Sequence, residues 1–121
     1  MTKDKPGTYN DGVCQIYAVK NKAPPGGLHQ DALVFKIGGL RYSNRMVGVA
    51  RYYTAKQNNV RADRLIRVPR REEISVRDVC VVGGLQYRIE QVQHPPEVQP
   101  PCLDLTLGRL DSDLPLEEAE P

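Results

Sequence analysis

Two glycine pairs, Gly38-Gly39 and Gly83-Gly84, constrain the fold of this chain most strongly, because each interrupts a short run of alternating apolar and polar residues. Successive strand residues point to opposite faces of a sheet, so such runs are typical of half-buried strands. A two-residue turn between antiparallel strands needs positive φ angles, which glycine adopts at little cost. The sequence therefore predicts two tight hairpins, over residues 33–42 and 79–92.

Three further segments have the composition of strands. Residues 13–19 (VCQIYAV) are rich in β-branched and aromatic side chains and precede a surface loop over 21–30 that contains Pro-Pro-Gly-Gly. Residues 60–68 (VRADRLIRV) end at Pro69, and Arg64 falls among their apolar positions. We expect either a bulge at Arg64 or a strand at the edge of its sheet. Residues 102–110 place Leu103, Leu105 and Leu107 inward.

The segment over residues 46–57 has two interpretations. Val47, Val49 and Arg51 alternate as in a strand, whereas Met46, Ala50, Tyr53 and Gln57 share one helical face. Asn44 is a suitable N-cap. We favour a short helix, with a strand as the alternative.

The composition limits the size and class of the fold. The 121 residues include ten Gly, ten Pro, one Phe and no Trp, which favours short strands and many turns. The prediction is a mainly β fold, a small β-barrel or sandwich of about six short strands with one short helix or long loop excursion. Residues 1–12 form a flexible lead-in, 13–110 a single barrel domain, and 111–121 an acidic disordered tail; an extended proline-rich connector covers 94–101.

Several classes of function find little support in the residues. Cys14, Cys80 and Cys102 form no Cys-x-x-Cys pair, and we expect three buried or half-buried thiols in a reducing compartment. No secretory signal or apolar run of about 20 residues is present, so we expect a cytoplasmic protein without membrane contact. His29 and His94 have no partner at catalytic spacing. We therefore expect no enzyme, cofactor or metal.

The charge is unevenly distributed, although the net charge is only +2. Residues 36–77 contain eleven basic and three acidic side chains, whereas residues 104–121 contain six acidic and one basic. The basic segment either follows a phosphate backbone or pairs with acidic groups of neighbouring copies, and both alternatives stay open. The candidate contact residues for a neighbouring subunit or DNA are Arg45, Arg51, Tyr52, Tyr53, Lys56, Gln57, Arg61, Arg64, Arg67, Arg70 and Arg71.

A sequence pattern over about residues 33–110 resembles a known family. It consists of Arg51-Tyr52-Tyr53-x-Ala55-x-Gln57, Ile66-x-Val68-Pro69, Ile74-x-x-x-Asp78-x-Cys80-Val81-x-Gly83-Gly84-x-x-Tyr87-x-Ile89-x-x-Val92 and Leu103-x-Leu105-x-Leu107. In this order the segments resemble the head closure, or head-tail joining, proteins of tailed bacteriophages and prophages.

The resemblance implies a structural virion protein with a compact β-barrel and a long loop or helical excursion. Copies of such a protein form a homo-oligomeric ring in the head-tail connector, or neck, which closes the DNA-filled head and docks the tail. The implied partners are portal, adaptor and tail proteins, with double-stranded DNA in the channel as a further contact. The implied locations are the host cytoplasm during assembly and then the virion neck. The alternative hypothesis is a small nucleic-acid-binding barrel that uses its arginine-rich middle.

Overall fold

Six antiparallel strands form one closed barrel in the computed structural model, which describes residues 9–28, 30–46 and 62–116. The strands are β1 (Gly12–Asn21), β2 (Asp31–Arg45), β3 (Arg64–Pro69), β4 (Val79–Val82), β5 (Leu85–Gln93) and β6 (Cys102–Arg109). Their order around the barrel is β1-β2-β3-β6-β5-β4, and β4 pairs again with β1. The prediction of a mainly β fold is confirmed, and the closure makes it a barrel.

The core fills the interior of the barrel with aliphatic side chains from every strand. Leu103, Leu105 and Leu107 of β6 are at most 2% exposed, so their predicted inward direction is confirmed. They pack with Ile66 of β3 and Ile89 of β5, which are fully buried. Each such side chain contributes about 1.5–3 kcal/mol through burial, so the interior is the main source of stability.

The predicted hairpin at the second glycine pair is confirmed. Gly83 and Gly84 connect β4 to β5 with φ angles of 59° and 79°. Val82 and Leu85, on either side of the pair, are directly opposite each other in the ladder. A two-residue turn whose twist matches that of the flanking strands requires positive φ at both central residues.

The predicted hairpin at the first glycine pair is wrong. Gly38 and Gly39 lie inside the continuous strand β2, and the loop over 22–30 joins β1 to β2 instead. Cys14 is opposite Leu40 whereas Ile16 is opposite Ile37, so β2 has one more residue than β1 between these pairs. The extra residue makes a β-bulge, and Gly39 with φ 63° supplies the backbone angle it needs.

Both explanations offered for Arg64 are also wrong. β3 lies between β2 and β6, not at an edge, and its register with β6 is regular from Arg64 opposite Leu107 to Pro69 opposite Cys102. Arg64 is tolerated among apolar positions because it is the first residue of the strand and lies half-buried at one end of the barrel, where its head can reach polar partners.

The loop between β3 and β4 packs against the barrel through one partly buried ion pair. The Nζ atom of Lys36 donates to Oδ2 of Asp78 at 2.6 Å and to the carbonyl oxygen of Glu73 at 2.6 Å. Oδ2 of Asp78 also accepts the backbone N–H of Ser75. These bonds hold the loop in the conformation that places Ile74 in the hydrophobic core.

Residues 9–12 and 111–116, which flank the strands in the described part of the chain, lie against the barrel more closely than the sequence predicts. Tyr9 is buried and the carboxylate of Asp11 accepts the backbone N–H of Asn44, so residues 9–12 are not a flexible lead-in. Residues 111–116 are not a disordered tail, because Leu114 exchanges two hydrogen bonds with the side chain of Gln86. The remaining lead-in and tail residues, 1–8 and 117–121, lie outside the described residues.

Other predictions concern the connecting segments. The 94–101 connector joins β5 to β6 as predicted, but it contains a turn and a bend and is not fully extended. Met46 is exposed, and the rest of the 46–57 segment, with its helix or strand alternatives, lies outside the described residues. Within the part of the chain that the structure describes, no helix is long and apolar enough to span a bilayer.

Candidate functional site

The predicted contact residues divide into those that the structure describes and those that it does not. Six of them lie outside the described residues: Arg51, Tyr52, Tyr53, Lys56, Gln57 and Arg61. The other five lie on β2, on β3 and in the loop after β3: Arg45, Arg64, Arg67, Arg70 and Arg71. These five do not form one continuous basic surface, because three of them bind groups within the chain.

Arg67 is bound to Asp104 on the outer wall of the barrel. Its Nε donates to Oδ1 at 2.7 Å and its Nη2 donates to Oδ2 at 3.0 Å, so the contact is bidentate. The two residues are directly opposite each other on β3 and β6, which brings their side chains to the same face. The hydrogen bonds to Asp104 raise the pKa of Arg67, and its charge is neutralised locally. Arg67 is therefore a structural residue.

Arg71 is also paired, but at a more exposed position. Its guanidinium donates to both carboxylate oxygens of Glu73, at 3.3 and 3.2 Å. These hydrogen bonds lower the pKa of the Glu73 carboxyl group. An exposed pair of this kind stabilises little, but it reduces the net positive charge that Arg71 offers to a partner.

Arg64 and Arg109 cover the two tyrosines of the repeated Gly-Gly-Leu-x-Tyr sequence at one end of the barrel. The guanidinium carbon of Arg64 lies 5.4 Å from the ring centroid of Tyr42, and that of Arg109 lies 5.9 Å from Tyr87. Arg64 also donates to the hydroxyl of Tyr42 at 3.2 Å and to Oδ1 of Asn44 at 2.9 Å. The two guanidinium–ring distances are within the range of cation–π contacts. These arginines therefore cover the buried tyrosine rings at this end of the core.

Arg45 and Arg70 are the exposed members of the set. Arg45 is the last residue of β2 and lies opposite Leu65 of β3. Arg70 follows β3 directly, and its backbone N–H donates to the carbonyl oxygen of Pro101. Among the described residues, Arg70 has no ion-pair partner, so its charge is available at the surface.

A cleft of about 720 Å³ opens beside Arg70. β2 and β3 pair over only three residue pairs, Ser43–Arg67, Asn44–Ile66 and Arg45–Leu65, and the cleft lies where the two strands have separated. Its lining combines a stretch of strand backbone with arginine, tyrosine and proline side chains: Tyr9, Gly38, Gly39, Leu40, Arg41, Pro69, Arg70, Arg71, Glu72, Pro100 and Pro101. The combination of apolar surface and several cations is suited to an extended polypeptide.

Tyr9 and Arg41 form one wall of the cleft. The Nε of Arg41 donates to the carbonyl oxygen of Tyr9 at 3.2 Å, which holds the residues before β1 against β2. Burial raises the pKa of the Tyr9 hydroxyl, and Cys102 raises it further, while Arg67 lowers it. Tyr9 therefore stays neutral and contributes apolar surface to this wall.

Sequence reasoning identified Arg70 and Arg71 of this cleft but missed most of its lining. The signal for the loop side was present, because Pro69 and the Pro100-Pro101 pair restrict the backbone where one strand ends and the next begins. Arg41 and Tyr9 could not be placed, because the sequence predicted a turn at Gly38-Gly39 and a flexible lead-in before β1.

The three thiols are buried, as predicted, and none of them forms a disulfide. Cys14 and Cys80 are fully buried on the neighbouring strands β1 and β4, and Cys102 is 2% exposed. The thiol of Cys80 donates a hydrogen bond to the sulfur of Cys14, which lowers the pKa of Cys14 and raises that of Cys80. Burial raises the pKa of Cys102. The arrangement is that of core-filling side chains.

Comparison of the chain with protein-family models, with curated proteins and with solved structures gives no match.

Proposed function

We propose that this chain is a structural, non-catalytic protein of the head-tail connector of a tailed phage or prophage, where copies of it form a ring that closes the filled head and docks the tail. The observation that carries the proposal is the position of the residues that give the resemblance. They supply the framework of one closed barrel: Ile66, Val68, Ile89, Leu103, Leu105 and Leu107 lie in the core, and Gly83 and Gly84 make the tight turn.

Asp78 gives the resemblance a further physical basis. It is a polar residue of the pattern that is 7% exposed, and its carboxylate binds Lys36 and the backbone N–H of Ser75. Its backbone carbonyl accepts the N–H of Ile89, another residue of the pattern. The partners of this buried carboxylate give a structural reason for an aspartate at this position of the pattern.

The surface chemistry favours assembly over nucleic-acid binding. Of the five described arginines in the predicted contact set, Arg67 and Arg71 are paired with carboxylates and Arg64 is held over Tyr42. A protein that binds a phosphate backbone presents several unpaired cations on one face. The described surface instead carries an open cleft lined by both cations and apolar groups, which is suited to a protein partner.

Disruption of the gene in a lysogen that carries it tests the proposal. After induction we expect DNA-filled heads and separate tails, or heads that have lost their DNA, in place of complete virions. Expression of the intact chain from a plasmid is expected to restore complete particles. Normal virions from the disrupted strain would contradict the proposal.

The nucleic-acid hypothesis is tested separately with the purified chain. We expect no binding of a labelled double-stranded or single-stranded oligonucleotide at about 50 mM salt. Binding that weakens steeply with added salt would favour that hypothesis instead.

A further inference from the structure

Cys14 and Cys80 form a pair of thiols inside the barrel. Cys14 lies on β1 and Cys80 on β4, and both side chains are fully buried. The thiol of Cys80 donates a hydrogen bond to the sulfur of Cys14, so the two sulfur atoms are in direct contact. The third cysteine, Cys102, lies on β6, which neighbours neither of these strands. Two of the three cysteines are therefore placed together.

The register of β1 and β4 explains how the two sulfur atoms meet. Cys14 is opposite Val82 and Ile16 is opposite Cys80, so the cysteines are diagonal neighbours on the inner face of the sheet. Diagonal neighbours on one face are close enough for their side chains to interact. A disulfide has an S–S bond of about 2.05 Å, so its formation here requires rotation of both side chains and a local shift of β1 against β4.

The seam between β1 and β4 allows such a shift because it is short. It closes the barrel through four residue pairs, the first of which joins Cys14 to Val82. Glycine flanks both strands at this end, since Gly12 begins β1 and Gly83 follows β4. Strand ends open more readily than strand centres, so transient separation at this end admits a small molecule to the thiols.

The surroundings of the pair make Cys14 the more nucleophilic thiol. The hydrogen bond from Cys80 lowers the pKa of Cys14, burial opposes this effect, and the nearby guanidinium of Arg64 lowers the pKa further. The same hydrogen bond, and then burial, raise the pKa of Cys80. The thiolate is the reactive form of cysteine, so Cys14 attacks first. A thiol of lowered pKa beside a second thiol is the arrangement of redox-responsive pairs.

We propose that Cys14 and Cys80 are a redox-responsive pair, which a small peroxide converts into a disulfide across the seam between β1 and β4. The thiolate of Cys14 attacks one oxygen of hydrogen peroxide, the O–O bond breaks, and Cys14 becomes a sulfenic acid as hydroxide leaves. Cys80 then loses its proton and attacks that sulfur, which forms the S–S bond and releases the sulfenic oxygen as water. The two sulfurs lose two electrons, and the peroxide is reduced to two water molecules.

Mass spectrometry of the full-length chain tests the disulfide. The reduced, folded protein is treated with hydrogen peroxide, and the remaining thiols are then alkylated in urea. We expect the loss of two hydrogen atoms and a cross-link between the tryptic peptides of Cys14 and Cys80, which trypsin separates from each other and from Cys102 at Lys20 and Arg88. A cross-link that contains Cys102, or three thiols that remain free, would overturn the proposal.

Three variants test the order of the two steps. Cys80→Ala should accumulate a sulfenic acid on Cys14 that dimedone captures, whereas Cys14→Ala should leave Cys80 as a thiol. Cys102→Ala is the matched control and should form the cross-link as the unsubstituted chain does. Sulfenic acid on Cys80 in place of Cys14 would contradict the assignment of the attacking thiol. The experiment on the unsubstituted chain does not depend on how well these variants fold.

Reversibility and unfolding test whether the bond acts on the seam. Dithiothreitol should return the cross-linked protein to its original mass, because thiol–disulfide exchange reverses the oxidation. The cross-linked protein should unfold at a higher urea concentration than the reduced protein, since the bond encloses residues 14–80 in a covalent loop that restricts the unfolded chain. A cross-link that dithiothreitol does not remove, or an unchanged unfolding midpoint, would refute a switch at this seam.

Discussion

Arg67 and Asp104 illustrate, at the scale of single residues, why a basic segment is not automatically a binding surface. The pair lies on the outer wall of the barrel, and their side chains are only 19% and 12% exposed. Either charge alone at this poorly exposed position would be a poorly solvated ion. The bidentate contact is therefore required for stability. Arg70 differs from Arg67 because its side chain is exposed and available to a partner.

Arg67→Ala is expected to lower the free energy of unfolding by about 1–2 kcal/mol, because Asp104 loses both of its side-chain donors. Arg45→Ala, at an exposed position on the neighbouring strand, is the matched control and should change it by less than about 0.5 kcal/mol. Urea unfolding followed by circular dichroism measures both values. Equal losses in the two variants would show that the pair contributes nothing specific.

The three thiols give a second prediction at this scale. Cys14, Cys80 and Cys102 are buried. The hydrogen bond to Cys14, and then burial, raise the pKa of Cys80, and burial raises the pKa of Cys102, so few reactive thiolates are accessible at pH 8. We expect native protein to react with Ellman's reagent about a hundredfold more slowly than protein in concentrated urea. A thiol that reacts equally fast in both conditions would contradict the burial of that residue.

At the scale of elements, the two Gly-Gly-Leu-x-Tyr sequences serve different purposes. The second forms a two-residue turn, whereas the first forms a bulge inside β2, because β1 is long enough to pair with residues on both sides of it. The local sequence indicates that glycine can adopt positive φ angles. Whether those angles form a turn or a bulge depends on which strand pairs with the residues on either side. In both copies the tyrosine enters the core beneath an arginine.

Gly83→Ala is expected to destabilise the protein by about 1 kcal/mol, because a Cβ atom disfavours the positive φ of 59°. Gly83→Asn should cost clearly less, since asparagine tolerates this conformation and Asn-Gly is a favoured pair in such turns. Chemical unfolding of both variants checks the difference. Identical losses would mean that the backbone angle is not the cause.

Strands and their inward faces could be predicted from alternation, which explains the correct placement of Leu103, Leu105 and Leu107. The closure of the barrel and the cleft could not, because both depend on which strands pair and over how many residues. The sequence also could not show which arginines are paired, because Arg67 and Asp104 are 37 residues apart and meet only through the β3–β6 ladder.

At the scale of the whole molecule, Leu114 and Pro115 link strand β5 to strand β2. Leu114 binds Gln86 of β5 through two hydrogen bonds, and Pro115 binds Leu33 of β2. Two strands that do not neighbour each other in the barrel order are thereby linked. We infer that residues 111–116 belong to the folded domain.

Truncation after Leu110 is expected to lower the free energy of unfolding by about 2 kcal/mol, because it removes these hydrogen bonds and exposes apolar surface at Leu33. Truncation after Leu116 is the control and should leave the stability of the monomer unchanged to within about 0.5 kcal/mol. Thermal and urea unfolding at low protein concentration distinguish them. A stable protein after the longer truncation would contradict the structural role of residues 111–116.

The proposed role of this barrel in the phage neck is tested by the location of the protein in the particle. A short epitope tag at the amino terminus, gold-labelled antibody and negative-stain electron microscopy of particles from an induced lysogen would give the position. We predict gold at the junction between head and tail, on intact virions and on isolated filled heads. Gold elsewhere on the particle, or particles that contain none of the tagged protein, would contradict the claim.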